Sequence, residues 1–205
     1  RRKVNKKRYF QQSDRYFNNA IVICRKIVKR FPKSKNIADV YYILGHDAKE
    51  NKKLKSAERY LQKAIAKSKR NQATRVKSQI ALAETYYNKK YYKKATPLYE
   101  RALRVSNDRW WTKDSFNLAW SYYRSKKYTQ AINKMKEVYS KSSDSRYVDM
   151  RPEVKRDIGL LFATSGRIEE GISFYEKLGV DFSKELLRIA AQLKNEGKFS
   201  DAQRV

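Results

Sequence analysis

An alanine followed at helical spacing by large apolar residues recurs along the chain. Four segments begin in this way, Ala20–Ile27, Ala57–Ala64, Ala95–Ala102 and Ala131–Val138, and a fifth, Gly171–Leu178, has glycine in place of the alanine. A sixth begins at Ala202, and the first residues of the six are separated by 37, 38, 36, 40 and 31 positions. Intervals of this size are typical of a helix–turn–helix repeat with variable loops.

A second helical pattern precedes each of these segments. In the clearest example Tyr41, Leu44, Gly45 and Ala48 share one face of a helix. Small residues recur in register with the alanines, at Gly45, Ala83, Ala119, Gly159 and Ala190. Two helices approach closely only where one presents a small side chain to a large one. The pattern therefore predicts antiparallel helix pairs in which the alanines are buried.

The residues that define these pairs resemble the tetratricopeptide repeat family. They are Tyr41, Leu44, Gly45, Ala57, Leu61 and Ala64; Leu82, Ala83, Tyr86, Tyr92, Ala95, Tyr99 and Ala102; Leu118, Ala119, Tyr122, Tyr128 and Ala131; and Ile189, Ala190, Gly197, Phe199 and Ala202. The resemblance implies an all-α fold, a right-handed superhelical α-solenoid of tandem helix–turn–helix repeats. The units are expected at about 1–37, 38–75, 76–111, 112–151 and 152–182, with a truncated unit at 183–205.

We expect a single array over residues 1–205 with five complete helix pairs. Helices are predicted near residues 38–50, 56–68, 76–88, 93–105, 113–125 and 129–140, and a less regular first helix runs from Val4 to Gln12. The stretch Ser140–Ser145 is the most loop-like, so residues 140–146 form a candidate flexible joint. The chain begins at Arg1 and ends inside a half-repeat, which we interpret as a fragment of a longer protein.

The net positive charge adds polyanions to the classes of molecule that the chain could bind. The chain has 49 Lys and Arg against 21 Asp and Glu, a formal net charge of +28. Such a field attracts polyanions such as nucleic acid, anionic lipid head groups or acidic protein segments. Lysines occur in nearly every turn, however, which is equally typical of well-solvated helix surfaces. No apolar stretch approaches the roughly 20 residues that a membrane span needs.

Catalytic chemistry has few candidate residues. His46 is the only histidine and Cys24 the only cysteine, so neither a histidine-rich metal cluster nor an internal disulfide can form. Cys24 lies on an apolar stripe with Ala20, Ile21 and Ile27, where packing is the simpler role. No glycine-rich phosphate loop or nucleophile elbow is present. The sequence predicts a protein without enzymatic activity, cofactor or metal ion.

One face of each first helix is not needed for pairing. Its residues are Tyr42, His46 and Lys49; Ile80, Glu84 and Tyr87; Phe116, Trp120 and Tyr123; and Arg156 and Leu160, with Lys113 and Arg124 nearby. In the family this face lines a concave groove that holds a peptide or helix. The resemblance thus implies an aromatic floor with a basic rim. The alternative is that the rings pack against neighbouring repeats, as in other tyrosine-rich stacks.

The preferred interpretation is a protein-interaction scaffold that grips a protein segment, which could be acidic, in this groove. The alternative is a nucleic-acid- or other polyanion-binding array that uses lysines along one ridge with stacking aromatics. The family's lysine, asparagine and arginine set that clamps a C-terminal carboxylate is absent, which disfavours a chaperone-tail receptor.

The compartment is unknown from sequence. The junction Arg30–Lys35, with its Phe31-Pro32-Lys33-Ser34 core, is similar to bacterial envelope repeat proteins such as outer-membrane assembly lipoproteins and periplasmic proteins of the Tol-Pal system. This similarity favours the periplasm or cell envelope over the cytoplasm. Pro32 also has a local role there, because it cannot continue a helix.

Overall fold

Helices make up all the regular structure of the described residues. In the computed structural model these residues are 6–69, 73–195 and 197–203, and no strand occurs among them. The helices are α1 Lys6–Arg30, α2 Ile37–Glu50, α3 Leu54–Lys67, α4 Ala73–Asn88, α5 Tyr92–Leu103, α6 Trp111–Arg124, α7 Tyr128–Lys141, α8 Arg151–Thr164, α9 Ile168–Glu176, α10 Phe182–Asn195 and α11 Phe199–Gln203. The predicted all-α fold class is confirmed, and each helix predicted by number begins and ends within about three residues of an observed one. No described helix is both long and apolar enough to cross a bilayer.

The chain divides into two compact units. The first unit, Arg1–Val105, contains α1 to α5, and the second unit, Ser106–Val205, contains α6 to α11. In the first unit α2 pairs with α3 and α4 with α5, and in the second α6 pairs with α7, α8 with α9 and α10 with α11. That the whole chain forms a single array stays a prediction.

The first predicted helix pair is a single helix. We expected a helix to end near Gln12 and a second to begin at Ala20, but α1 is continuous from Lys6 to Arg30. Val4 lies outside the described residues. The seven residues between Gln12 and Ala20 include neither glycine nor proline, so nothing in that segment stops a helix.

A residue with left-handed backbone ends the first helix of each pair. The φ angles are 56° at Lys52, 61° at Lys90, 59° at Lys126, 71° at Gly166 and 73° at Gly197. Each of these residues lies five positions before the small residue in the first turn of the next helix, from Ala57 to Ala202. The turn therefore has one geometry in five pairs, although the residue at its centre changes from lysine to glycine.

Backbone hydrogen bonds fix this turn. In the turn at Lys90 its own N–H donates to the carbonyl of Tyr87 at 2.8 Å, and the N–H of Tyr91 donates to the carbonyl of Tyr86 at 2.8 Å. This pair of bonds is the Schellman arrangement, which satisfies carbonyls that a helix end leaves open. The other four turns repeat both bonds.

Small residues set the distance between paired helices. Ala57, Ala95 and Ala131 are fully buried, which confirms the prediction for them. A Cβ atom added to Gly45 would lie 2.7 Å from Cγ of Leu61, closer than real side chains approach. Because α2 and α3 meet at this distance, position 45 requires glycine.

The candidate joint at residues 140–146 lies inside the second unit and is followed by a well-anchored loop. The hydroxyl of buried Ser142 accepts a hydrogen bond from the N–H of Met150 at 3.1 Å. The N–H of Val148 donates to the carbonyl of Arg109 at 3.0 Å, and its carbonyl accepts from the hydroxyl of Thr112 at 2.7 Å. These bonds hold the loop against the beginning of α6.

We predict that glycine at a lysine turn stabilises the fold. Left-handed backbone costs a residue with a side chain roughly 1–2 kcal/mol, and glycine avoids this cost. Lys90→Gly should therefore raise the free energy of unfolding by about 1 kcal/mol in urea titrations. Lys26→Gly, the same substitution at an exposed position inside α1, should lower it by about 1 kcal/mol. Destabilisation by both variants would show that the turn is not strained.

Candidate protein-binding surfaces

In the first unit the expected binding face is built from α2 and α4. Tyr42, His46 and Lys49 follow one another at offsets of four and three on α2, and all are partly buried. The ammonium group of Lys49 forms a salt bridge with the carboxylate of Glu84 on α4. A carboxylate oxygen of Glu50 lies 3.2 Å from the same ammonium group. The structure thus brings predicted residues of two successive helix pairs together.

The positive charge of Lys49 is compensated by neighbouring carboxylates. Burial alone would lower its pKa, but hydrogen bonds with Glu84 and Glu50 outweigh burial, and the pKa of Lys49 is raised. Nε2 of His46 lies 3.7 Å from the Glu50 carboxylate, and the ring of Tyr42 lies 5.9 Å from that of His46. Burial raises the pKa of the Tyr42 phenol. This face has one cation against two carboxylates, so Lys49 adds no excess positive charge to the basic rim that was expected here.

The remaining predicted residues of α4 add apolar surface. Ile80 and Tyr87 are partly buried. The ring of Tyr87 lies 5.2 Å from that of Tyr92 across the turn, in an edge-on arrangement. In the second unit Tyr123 and Tyr128, each 36 positions later, repeat this contact at 5.7 Å. These ring pairs were not predicted, and the signal for them in the sequence is the recurrence of two tyrosines five residues apart.

In the second unit three aromatic rings follow the predicted face of α6. The ring centroids of Phe116 and Trp120 are 6.4 Å apart, and those of Trp120 and Tyr123 are 5.3 Å apart with their planes at 90°. Trp120 and Tyr123 are partly buried and pack against the core. The guanidinium carbon of Arg124 lies 5.9 Å from the Trp120 ring and 5.8 Å from the Tyr123 ring. These are cation–π distances.

Phe116 belongs to the core, so its expected place on an open floor is wrong. Its side chain is only 9% exposed and lies in a cluster with Met135 of α7 and Val154 and Ile158 of α8. Most residues of the first half of α6 are buried. The anchored loop that contains Val148 lies against this part of the helix. Only the second half of α6 leaves aromatic side chains partly open.

Three other predicted residues have different surroundings. Nζ of exposed Lys113 lies 5.5 Å from the ring of Trp110. The guanidinium of Arg156 pairs with Asp157 at 2.7 Å. Leu160 is partly buried against the cluster that α8 forms with α10. The candidate surface of the second unit is therefore Trp120, Tyr123 and Arg124, which we call the α6 face.

The excess positive charge lies in the first unit. Residues 1–105 contain 30 Lys and Arg against 7 Asp and Glu, a net +23, whereas residues 106–205 contain 19 against 14, a net +5. Lysines occur along both units, but the acidic residues are concentrated in the second unit, and this asymmetry produces the difference in net charge. In the first unit Lys49 and Lys89 form salt bridges with glutamates.

Four cations make a ladder on α3. Lys55, Arg59, Lys63 and Lys67 are all exposed and recur every fourth residue. Among the described residues none of the four forms a salt bridge. Like charges at this spacing repel each other on a helix. We call this row of side chains the α3 ridge.

Metal or thiol chemistry finds little support in the described part of the chain. No group of three or more His, Cys, Asp or Glu side chains there could hold a metal ion. Cys24 is buried against Leu44, and burial raises the pKa of its thiol. The thiol is protonated at neutral pH, as expected for a packing residue.

Two stretches match models of one family. Residues 76–109, which include α5 and most of α4, and residues 115–145, which include α7 and most of α6, each match a tetratricopeptide repeat. These two stretches are tetratricopeptide repeats. The matched stretches coincide with the third and fourth predicted units. No curated protein matches the chain.

Solved structures agree with this assignment. Nearly identical tetratricopeptide-like repeats assigned to a kinesin light chain of P. anserina are similar with a TM-score of 0.63 and 17% identity, covering 92% of each chain. BtubC from P. vanneervenii is similar with a TM-score of 0.57 and 16% identity, covering 94% of this chain and 86% of its own. At these identities the likeness shows the fold, and the predicted α-solenoid class is confirmed. Tetratricopeptide repeats generally mediate protein–protein interactions, and such folds are typically non-catalytic scaffolds.

We predict that Lys49 and Glu84 stabilise the first unit as a pair. Glu84→Leu should lower the free energy of unfolding by about 1–3 kcal/mol, because it leaves a partly buried ammonium group without its main partner. The double variant Lys49→Met/Glu84→Leu should be more stable than Glu84→Leu alone, because the unpaired charge is removed. Urea unfolding of the wild type, Lys49→Met, Glu84→Leu and the double variant measures the coupling. Additive effects of the two substitutions would show that the pair contributes nothing.

Proposed function

We propose that this tetratricopeptide repeat protein is a non-enzymatic scaffold that binds a protein segment on the α6 face. The observation that carries the proposal is the contact of Trp120 and Tyr123 at 90° with the cation of Arg124 beside both rings. Tryptophan, tyrosine and arginine are the residues most enriched among those that dominate binding energy at interfaces.

The α6 face is prepared for a partner by the core below it. Trp120 and Tyr123 rest on the buried cluster of α6, α7 and α8, so their rings lose little conformational freedom when a partner arrives. The exposed guanidinium of Arg124 remains able to pair with a carboxylate. The segment that fits has apolar side chains for the rings and at least one acidic residue for Arg124.

The first unit supports a more polar contact. Tyr42 and Tyr87 lie on the same face as the network of Lys49, Glu84 and Glu50. Because this network has one cation against two carboxylates, it has no excess positive charge for an acidic partner and suits a partner that supplies hydrogen bonds. The proposed acidic preference of the α6 face therefore rests on Arg124.

A second candidate function is polyanion binding by the α3 ridge. Successive cations of the ridge are about 6 Å apart along the helix, since each residue rises about 1.5 Å. Four such cations present a line of charge about 18 Å long, in a unit with a net charge of +23. A single-stranded nucleic acid could place phosphates along this line.

A place in a bacterial envelope assembly remains a proposal that rests on the resemblance of residues 30–35. The local structure gives this junction a simpler role as well, because α1 ends at Arg30 and the N–H of Ser34 donates to the carbonyl of Phe31 at 3.1 Å. This turn leads directly into α2.

The protein-scaffold proposal is tested with a random peptide library displayed on phage and selected on the full chain. Selected peptides should be rich in apolar and acidic residues. Trp120→Ala should weaken their binding at least tenfold, and about 2 kcal/mol is typical of such anchors. Trp110→Ala, which removes an exposed tryptophan outside the α6 face, should change binding less than twofold. Both variants should keep the circular dichroism of the wild type.

Two results would contradict the proposal. If Trp120→Ala unfolds the chain while its folded fraction binds the peptides normally, Trp120 is a packing residue. If Trp110→Ala and Trp120→Ala weaken binding equally, the peptides bind elsewhere in the second unit.

The polyanion function predicts a steep response to salt. Four phosphate contacts on single-stranded RNA would weaken binding about 50-fold between 50 and 200 mM salt. Lys55→Glu/Lys63→Glu should abolish most of the affinity for a 20-nucleotide RNA, measured by fluorescence anisotropy. Lys126→Glu/Lys127→Glu, an equal charge change on exposed residues of the second unit, should have a small effect. Equal losses from the two variants would rule out the α3 ridge as the site.

A further inference from the structure

The first half of α1 exposes a large apolar surface. Its residues from position 9 to 20 are all exposed, and Tyr9 and Tyr16 are 64% and 65% exposed. We call the apolar side of this helix the α1 face; it consists of Tyr9, Phe10, Tyr16, Phe17, Ala20 and Ile23. Four rings of roughly 150–250 Å² each, at least half exposed, present on the order of 400–500 Å². A continuous patch of this size marks an interaction site.

The internal repeat shows how this surface compares with its equivalents. Ala20 stands where Ala57 stands in α3, Ala95 in α5 and Ala131 in α7. Those three alanines are fully buried by the first helix of their pair, whereas Ala20 is exposed. The side of α1 that in later units contacts an antiparallel helix therefore has no such neighbour among the described residues.

The second half of α1 packs against α2 with a side that continues the line of Phe10 and Phe17 along the helix. Ile21 and Cys24 are buried with Leu44 of α2, and Val28 packs against the same cluster. The second half of α1 is thus docked on α2 and holds the α1 face in a fixed orientation within the first unit. An element arriving at this face would meet a preformed helix, which lowers the entropy cost of binding.

Charge identifies the chemistry of that element. The sequence of α1 contains eight Lys and Arg and a single acidic residue, Asp14. Arg15 and Lys26 are exposed and lie beside the apolar arc, at positions that flank Tyr16 and Ile23 around the helix. A second α1 helix packed here would bring two strongly cationic helices together, which is unfavourable. An acidic helix would have the complementary charge.

The first unit itself contains such a helix. α2, which covers Ala57 of α3, carries Asp39, Asp47 and Glu50 against one lysine and presents the small residue Gly45 to Leu61. We propose that the α1 face binds an acidic amphipathic helix of a partner protein, antiparallel to α1 and with a small side chain near Ala20. This site is separate from the α6 face, and neither proposal depends on the other.

The proposal is tested with a fluorescein-labelled peptide that has the sequence of residues 37–50 and capped ends, added to the full chain. Fluorescence anisotropy should show saturable binding. Ala20→Arg, which places a bulky cation in the middle of the α1 face, should weaken it at least tenfold. Asn18→Arg adds the same cation to the opposite side of α1 and should change it less than twofold. A peptide with Asp39, Asp47 and Glu50 replaced by lysine should bind at least tenfold more weakly.

Four outcomes would overturn the proposal. Equal effects of Ala20→Arg and Asn18→Arg, or no binding of the acidic peptide, would show that the α1 face does not accept an acidic helix. A dimer in sedimentation velocity that Ala20→Arg converts to a monomer would assign the face to a second copy of this chain. Binding to phosphatidylglycerol vesicles that Ala20→Arg alone abolishes, without peptide binding, would assign it to a lipid surface. Circular dichroism checks that both variants keep α1 helical.

Discussion

The close approach of paired helices at small side chains is the constraint on which the fold depends. Gly45 shows it most directly, because even a methyl group there would collide with Leu61. The five repeated turns serve the same contact: each reverses the chain through one left-handed residue that lies five positions before a small residue of the next helix. Lysine occupies this strained position three times, so the turn is fixed by backbone hydrogen bonds and by packing, not by glycine alone.

The same contact decides which side chains remain for partners. The first helix of a pair packs one side against its partner helix and another side against the next pair. Only a narrow strip of its surface then remains accessible to a binding partner. Phe116 falls within the packed region and Trp120, one turn later, lies at its edge. In the first unit the strip between α2 and α4 is crossed by the Lys49–Glu84 salt bridge, which ties successive pairs together. Structural and binding roles therefore meet within one turn of a helix.

Sequence periodicity predicted the helices, their pairing and the buried alanines, because each depends on residues three or four positions apart. It did not predict features that depend on contacts between residues distant in the sequence. Phe116 is buried because α8 and the loop after α7 cover it, and neither is visible in the periodicity of α6. Lys49 was expected at the basic rim of a groove, and its partner Glu84, which lies 35 positions away, could not be inferred from the periodicity of α2. The length of α1 was missed for the opposite reason: the repeat pattern suggested a turn, but no local breaker is present.

The unequal charge of the two units has a consequence for their stability. With a net charge of +23, the first unit is destabilised by repulsion among its own cations, and any bound anion relieves part of that repulsion. The second unit, with a net charge of +5, gains little stability from a bound anion. By mass action an acidic partner that binds only the folded state would stabilise the first unit, by an amount that grows with the logarithm of its free concentration above the Kd. The two units are built from the same repeat, but their free energies of unfolding would then respond differently to the anions in solution.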